Sequence, residues 1–180
     1  MENNLQAHTS LIHQAQRGNA AAIEALYRQY GKAMYNICTR MMGDKNGAED
    51  VLQDSFIVAF KNLQQLKDAS QFGGWLKRIV INECIRQGKK KTGWTEWDDD
   101  QYDTPDTDEA SWWDTVGMAE IHAHIKALPN GCRQVFIMYA IENYSHKDIA
   151  ASVGISESTS KSQYHRAKHL LKERLAKNRF

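Results

Sequence analysis

The chain has 180 residues, 42% hydrophobic and 25% charged, and its 23 Lys and Arg against 22 Asp and Glu leave a net charge of +1 with His neutral. That length suits one medium domain or two small ones, and the balanced total singles out no class of partner. No stretch approaches the roughly 20 apolar residues that span a membrane, and the start, MENNLQAHTS, lacks the basic and apolar runs of a signal peptide.

Two prolines, Pro105 and Pro129, and few β-branched runs predict an all-α protein. Leu11, Ile12, Ala15, Ala22, Ile23, Leu26, Tyr27 and Tyr30 recur at helical spacing. They predict one helix over Thr9–Gly31, bent at Gly18-Asn19. A second is expected from Lys32 to Met42, with Met34, Tyr35, Ile37, Cys38 and Met41 inward, ended by Gly43-Asp44.

The most amphipathic segment runs from Asn46 to Leu66, with Asp44 or Asn46 available to cap it. Ala48, Val51, Leu52, Phe56, Ala59, Phe60 and Leu63 form its apolar stripe. Glu49, Asp50, Gln53 and Asp54 gather on another face near its start, where the helix dipole favours negative charge. By spacing alone the patch reads as solubility or as a protein-docking surface.

A polar loop, Lys67 to Gly74, leads to a helix over Trp75–Lys91 with Trp75, Leu76, Ile79, Val80, Cys84 and Ile85 inward. Lys77, Arg78, Arg86 and Lys89 to Lys91 make it basic, and Asn82, a poor helix former, sits at its middle. A basic helix opening on a Trp can track a phosphate backbone and stack on unpaired bases. Equally, it can be a core Trp beneath a solvated basic face.

The composition then changes. From Thr92 to Met118 there is no Lys or Arg against nine acidic residues, while both flanks carry a basic excess. This turn-rich stretch reads as a linker, although a pure spacer has no need of Trp94, Trp97, Trp112 and Trp113. Helices are expected again over Ala119–Leu128, halted by Pro129-Asn130-Gly131, and over Arg133–Asn143.

The stretch Ser145–Leu171 carries the sharpest signal. Ser145 can cap a short helix with Ile149, Ala150 and Val153 inward, and Gly154 can end it through positive φ. Ser156 then opens a second helix, and small Ala150 lets the two cross closely. Two short helices joined by a Gly-containing turn describe a helix-turn-helix. Lys161, Ser162, His165, Arg166 and Lys168 lie around the face away from Tyr164, Ala167 and Leu171, a composition suited to a major groove. An ordinary helical hairpin with a basic solvated face is the alternative. Ser160 stands where such a helix would bury Val or Ile, so a thin core is expected there.

Catalytic patterns are missing: no phosphate-cradling Gly loop, nucleophile elbow or H-E-x-x-H occurs. No enzyme activity, cofactor or metal is expected. Cys38, Cys84 and Cys132 are scattered among apolar residues and read as reduced, buried thiols of a cytoplasmic protein.

The order AEDVLQDSFIVAF, F-x-x-WLKRIVIN with a basic tail, a linker, LPNGCRQVFIM and a terminal helix-turn-helix resembles bacterial RNA polymerase sigma factors of the small extracytoplasmic-function group of the sigma-70 family. The resemblance spans essentially the whole chain. It implies a core-polymerase-binding and promoter-melting domain over 5–92, an acidic linker over 93–117 threading the RNA exit path, and a helix-turn-helix domain over 118–178. It implies that Glu49, Asp50, Gln53, Asp54 and Phe56 dock on core RNA polymerase. Loop residues Leu66 to Phe72, with Trp75, Lys77, Arg78, Asn82 and Arg86, would melt the minus-ten element and capture a flipped base. Lys161, Ser162, His165 and Arg166 would read the minus-thirty-five element of promoter DNA. An anti-sigma factor is a further implied partner, with no membrane insertion. The chain departs from the pattern at Arg86, Asp148, Ser160 and Gln163, the last where Arg is common. Two other readings stand beside it: a freestanding helix-turn-helix regulator, or a polymerase-docking adaptor without promoter reading.

Overall fold

The computed structural model describes residues 2–92 and 118–177. The linker expected over 93–117, with its four tryptophans, lies outside the described residues. Among the described residues all regular structure is helical: α1 (Glu2–Gln16), α2 (Ala20–Met42), α3 (Lys45–Lys61), α4 (Phe72–Thr92), α5 (Met118–Lys126), α6 (Asn130–Phe136), α7 (His146–Val153) and α8 (Glu157–Lys177). Two compact units result, Met1–Thr39 with Asp44–Gln87, and Arg40–Gly43 with Gly88–Phe180. No helix among the described residues is long and apolar enough to cross a membrane.

The chain breaks between α1 and α2 at Gly18, with φ +83°, and α2 then runs unbroken through Gly31. The expected boundary near Lys32 is therefore corrected. Gly31 is helical, and Leu26, Met34, Ile37 and Cys38 keep one buried face of α2 on both sides of it. Asp44 caps α3 by accepting the Gly47 amide at 2.6 Å. The Asn62 side chain closes α3 on the Val58 carbonyl at 2.8 Å, and Leu63–Gln65 continues as a 3-10 turn, so α3 is shorter than predicted. α4 starts earlier, at Phe72 rather than Trp75, so Gly73 and Gly74 belong to its first turn. Phe72 replaces Trp75 as the deep anchor: it is fully buried, whereas Trp75 is half-buried at its side.

In the second unit, Ile121 and Ile125 of α5, Leu128 just past its end, and Val135 and Phe136 of α6 are buried with Ile149 and Val153 of α7 and Ala167 and Leu171 of α8. α6 starts at Asn130, directly after Pro129, and continues into a π-helical turn over Ile137–Ile141, three residues ahead of the expected start. Its buried Arg133 donates to the carbonyls of Lys126 and Leu128, satisfying the open end of α5. The helix-turn-helix takes the predicted form. Ser145 Oγ accepts the Asp148 amide, Gly154 turns at φ +76°, and Ser156 Oγ accepts the Thr159 amide at 2.9 Å.

Ser160 is fully buried and shares a 2.9 Å hydrogen bond with His146 Nδ1. The His146 ring stacks on Tyr139 at 4.2 Å and meets Tyr164 edge-on at 5.8 Å. A polar pair inside an aromatic cluster thus fills the place of a branched side chain, and the core there is not thin. Gln163, compared above with an Arg position, is likewise buried and accepts the Cys132 thiol at 2.9 Å. Burial pushes that thiol up to about 11.

Candidate functional site

Three surfaces carry the residues that the sequence singled out. On α3, Glu49, Asp50 and Gln53 are exposed and Asp54 half-buried on the side opposite buried Ala48, Val51, Leu52 and Ala59. Phe56 does not join them. Its ring is 3% exposed, packed 4.7 Å from Tyr27 and 5.6 Å from Phe60. Ile57, one residue on, stands 52% exposed and extends the acidic face by one turn toward the C-terminal end of α3. The helical turn of roughly 3.6 residues puts Ile57 over Gln53 and Asp54 while Phe56 turns inward. Sequence reasoning missed Ile57, because a lone apolar residue beside an aromatic one reads as part of the stripe.

The second surface combines the loop after α3 with α4. Trp75, Arg78, Asn82 and Arg86, spaced by three, four and four residues, follow one side of the helix. Arg78, Asn82 and Arg86 are exposed along it. Lys77 does not share that side; it is half-buried on the flank of Leu76 and Val80. Arg86 is also committed elsewhere: it pairs with Glu83 at 2.5 Å and lies 3.5 Å from Asp54 of the α3 patch. Gln87 donates to the same Asp54 carboxylate at 3.4 Å. The acidic patch and the basic helix therefore meet at Asp54.

Within the loop, Leu66 and Ala69 are buried while Lys67, Asp68, Ser70 and Gln71 are exposed. The Ser70 hydroxyl and amide both donate to Asp68, at 2.7 and 2.9 Å, and hold its carboxyl below the usual carboxylate range. The loop is a formed platform with polar side chains facing water.

The third surface is the outer side of α8. Lys161 is exposed and Ser162 and His165 half-exposed there, with exposed Ser158 and Glu157 at its beginning. Arg166 stands at the flank, half-buried. Lys161 pairs with Glu157 at 3.1 Å, so the leading turn carries both an acceptor and a donor. Glu157 and Ser158, exposed in the first turn, were not singled out in the sequence.

Residues 26–94 match the family described as sigma-70 region 2, and residues 118–171 match sigma-70 region 4. The ECF RNA polymerase sigma factor SigE of Mycolicibacterium smegmatis is 30% identical over 169 residues, covering 89% of this chain; the chain spans 65% of that relative's length. The ECF RNA polymerase sigma factor SigW of Bacillus subtilis is 28% identical over 91% of this chain and 94% of its own. Among solved structures, CnrH in complex with the cytosolic domain of CnrY aligns with a TM-score of 0.53 at 24% identity, over 94% of this chain and 97% of that one. The sigma factor RpoE of Bartonella quintana, solved with the anti-sigma factor NepR, gives 0.55 at 21% identity over 85% and 96%. Both structural likenesses are of fold.

Proposed function

The chain belongs to the extracytoplasmic-function group of the sigma-70 family, proteins that direct promoter-specific transcription, and from that premise we propose how its surfaces divide the work. It binds core RNA polymerase and brings it to chosen promoters, forming no bond itself, since RNA synthesis belongs to the polymerase. The observation that carries this reading is the coexistence, in one chain, of an exposed acidic helix face, a basic helix beside a preformed polar loop, and a capped helix-turn-helix.

The division of labour follows the chemistry. The stretch 5–92 docks on core polymerase through Glu49, Asp50, Gln53 and Asp54, with Ile57 rather than Phe56 as the apolar contact, because only Ile57 offers surface. The loop and Trp75, Arg78, Asn82 and Arg86 engage the melted minus-ten strand, with Lys77 and Arg86 needing to leave their present settings to reach it. Unstacking a base costs a few kcal/mol; a loop held ready in advance lowers the ordering cost of capturing it. The stretch 118–178 reads the minus-thirty-five element through Lys161, Ser162, His165 and Arg166. The acidic stretch 93–117 connects them through the RNA exit path. The protein works in the cytoplasm, where the polymerase is, and an anti-sigma factor is the regulatory partner, as NepR is for the structural relative RpoE.

The test is co-migration and titration with core polymerase, followed by a gel shift of a promoter fragment with and without core. A shift that needs core supports the sigma reading. A tight shift by the protein alone supports a freestanding regulator instead.

A further inference from the structure

Helix α1 reaches the loop between α3 and α4 at both ends. At the loop's entry, Gln16 Nε2 donates to the carbonyls of Leu63 and Leu66, at 3.0 and 3.1 Å. The Gln64 side chain returns a bond to the Gln16 carbonyl, so the clamp is reciprocal. At the exit, Tyr30 and His8 share a 2.7 Å hydrogen bond, and both rings lie against fully buried Phe72, the first residue of α4. The exposed tetrad Lys67, Asp68, Ser70 and Gln71 lies between these two fixed points.

None of these contacts follows from a short-range pattern: Gln16 and Leu66 are 50 residues apart. A loop between two helices normally leaves several carbonyls to water. Here one amide takes two of them, and it comes from an element that carries no residue of the DNA-facing set. One amide holding two successive turns fixes their separation, and hence the direction in which the platform between Leu66 and Phe72 faces.

We propose that Gln16 is a positioning residue for base selection: by clamping Leu63 and Leu66 it sets the shape of the loop that selects the minus-ten base. The inference rests on the proposed role of that loop. It adds α1, outside every surface named above, to the selective apparatus.

The test uses the full chain assembled with core polymerase. Promoter fragments identical except at one minus-ten position, varied through all four bases, are transcribed, and the ratio of best to worst initial rate is read. Gln16→Met keeps the length of the side chain and removes both donations. The expected ratio falls about fivefold, the order expected for losing two hydrogen bonds, with core affinity within about twofold of the parent. A uniform loss of folded protein scales all four promoters alike and leaves the ratio unmoved. Gln64→Met, at an exposed position, removes the return bond and lowers the ratio in the same direction, so the test survives if Gln16→Met fails to assemble. A parent that discriminates while an assembled variant keeps the same ratio overturns the clamp. A parent that transcribes but never discriminates, at any minus-ten position, overturns the loop's assigned role, and the clamp's with it.

Discussion

Phe56 and Ile57 are neighbours with opposite fates, and exchanging each for alanine separates packing from docking. Phe56 is 3% exposed and contacts two aromatic rings. Phe56→Ala should cost about 3–5 kcal/mol through lost contacts and a cavity, lowering the first unit's Tm by about 12 °C or more. Ile57→Ala should leave Tm within about 2 °C, since an exposed substitution stays within roughly 0.5 kcal/mol. Its effect lies in binding. Full burial of an Ile is worth about 1.5–3 kcal/mol, and with 52% of it still in water about half remains to be gained on docking. That is about 0.8–1.6 kcal/mol, or roughly four- to fifteenfold in Kd for core polymerase. The assay is a titration of labelled protein with core, beside thermal melts of each variant. Unchanged affinity for Ile57→Ala, with Asp50→Ala weakened as a control, would refute the extension of the docking face. Weakened docking by a normally stable Phe56→Ala would refute its burial.

Ser160→Val exchanges the hydroxyl bonded to His146 for apolar bulk in a filled site; a loss of about 1–3 kcal/mol is expected by thermal or urea unfolding. The Cys132 thiol is raised by burial from its ordinary 9.0 to about 11. A proton held more tightly in the folded state stabilises fully below pH 9, and that share is lost as pH climbs toward 11, about 2 kcal/mol. Unfolding curves between pH 8 and 11 should show this, with the step reduced in Cys132→Ala. All three thiols are buried, so a maleimide near neutral pH should label none natively and all of them in urea. Arg166→Ala and Lys161→Ala should weaken transcription from promoters with a minus-thirty-five element by about five- to hundredfold, and removal of a phosphate contact should flatten the salt dependence by about one unit of slope.

Local chemistry was legible where one residue type meets one backbone demand. Ser145, Gly154 and Ser156 announced the helix-turn-helix because capping and positive φ admit few side chains. The acidic side of α3 was equally plain from spacing. Gly31 misled because glycine permits a break without requiring one, and the apolar face of α2 continues across it. Ser160 and Gln163 misled because hydrogen-bond satisfaction depends on His146 and Cys132, 14 and 31 residues away. Arg86 reads as free basic charge in the chain and is paired in the fold, locally with Glu83 and, through the packing of α3 on α4, with Asp54. The Gln16 clamp is tertiary for the same reason.

Run-off transcription with core polymerase over a library of promoter fragments, with and without the protein, reads sigma activity itself. Transcripts should appear only with the protein, from a subset of fragments sharing two spaced elements, and should weaken with Asp50→Ala and with Arg166→Ala. Core binding without any selective transcript, or tight binding of duplex DNA by the protein alone with no affinity for core, would contradict the sigma reading.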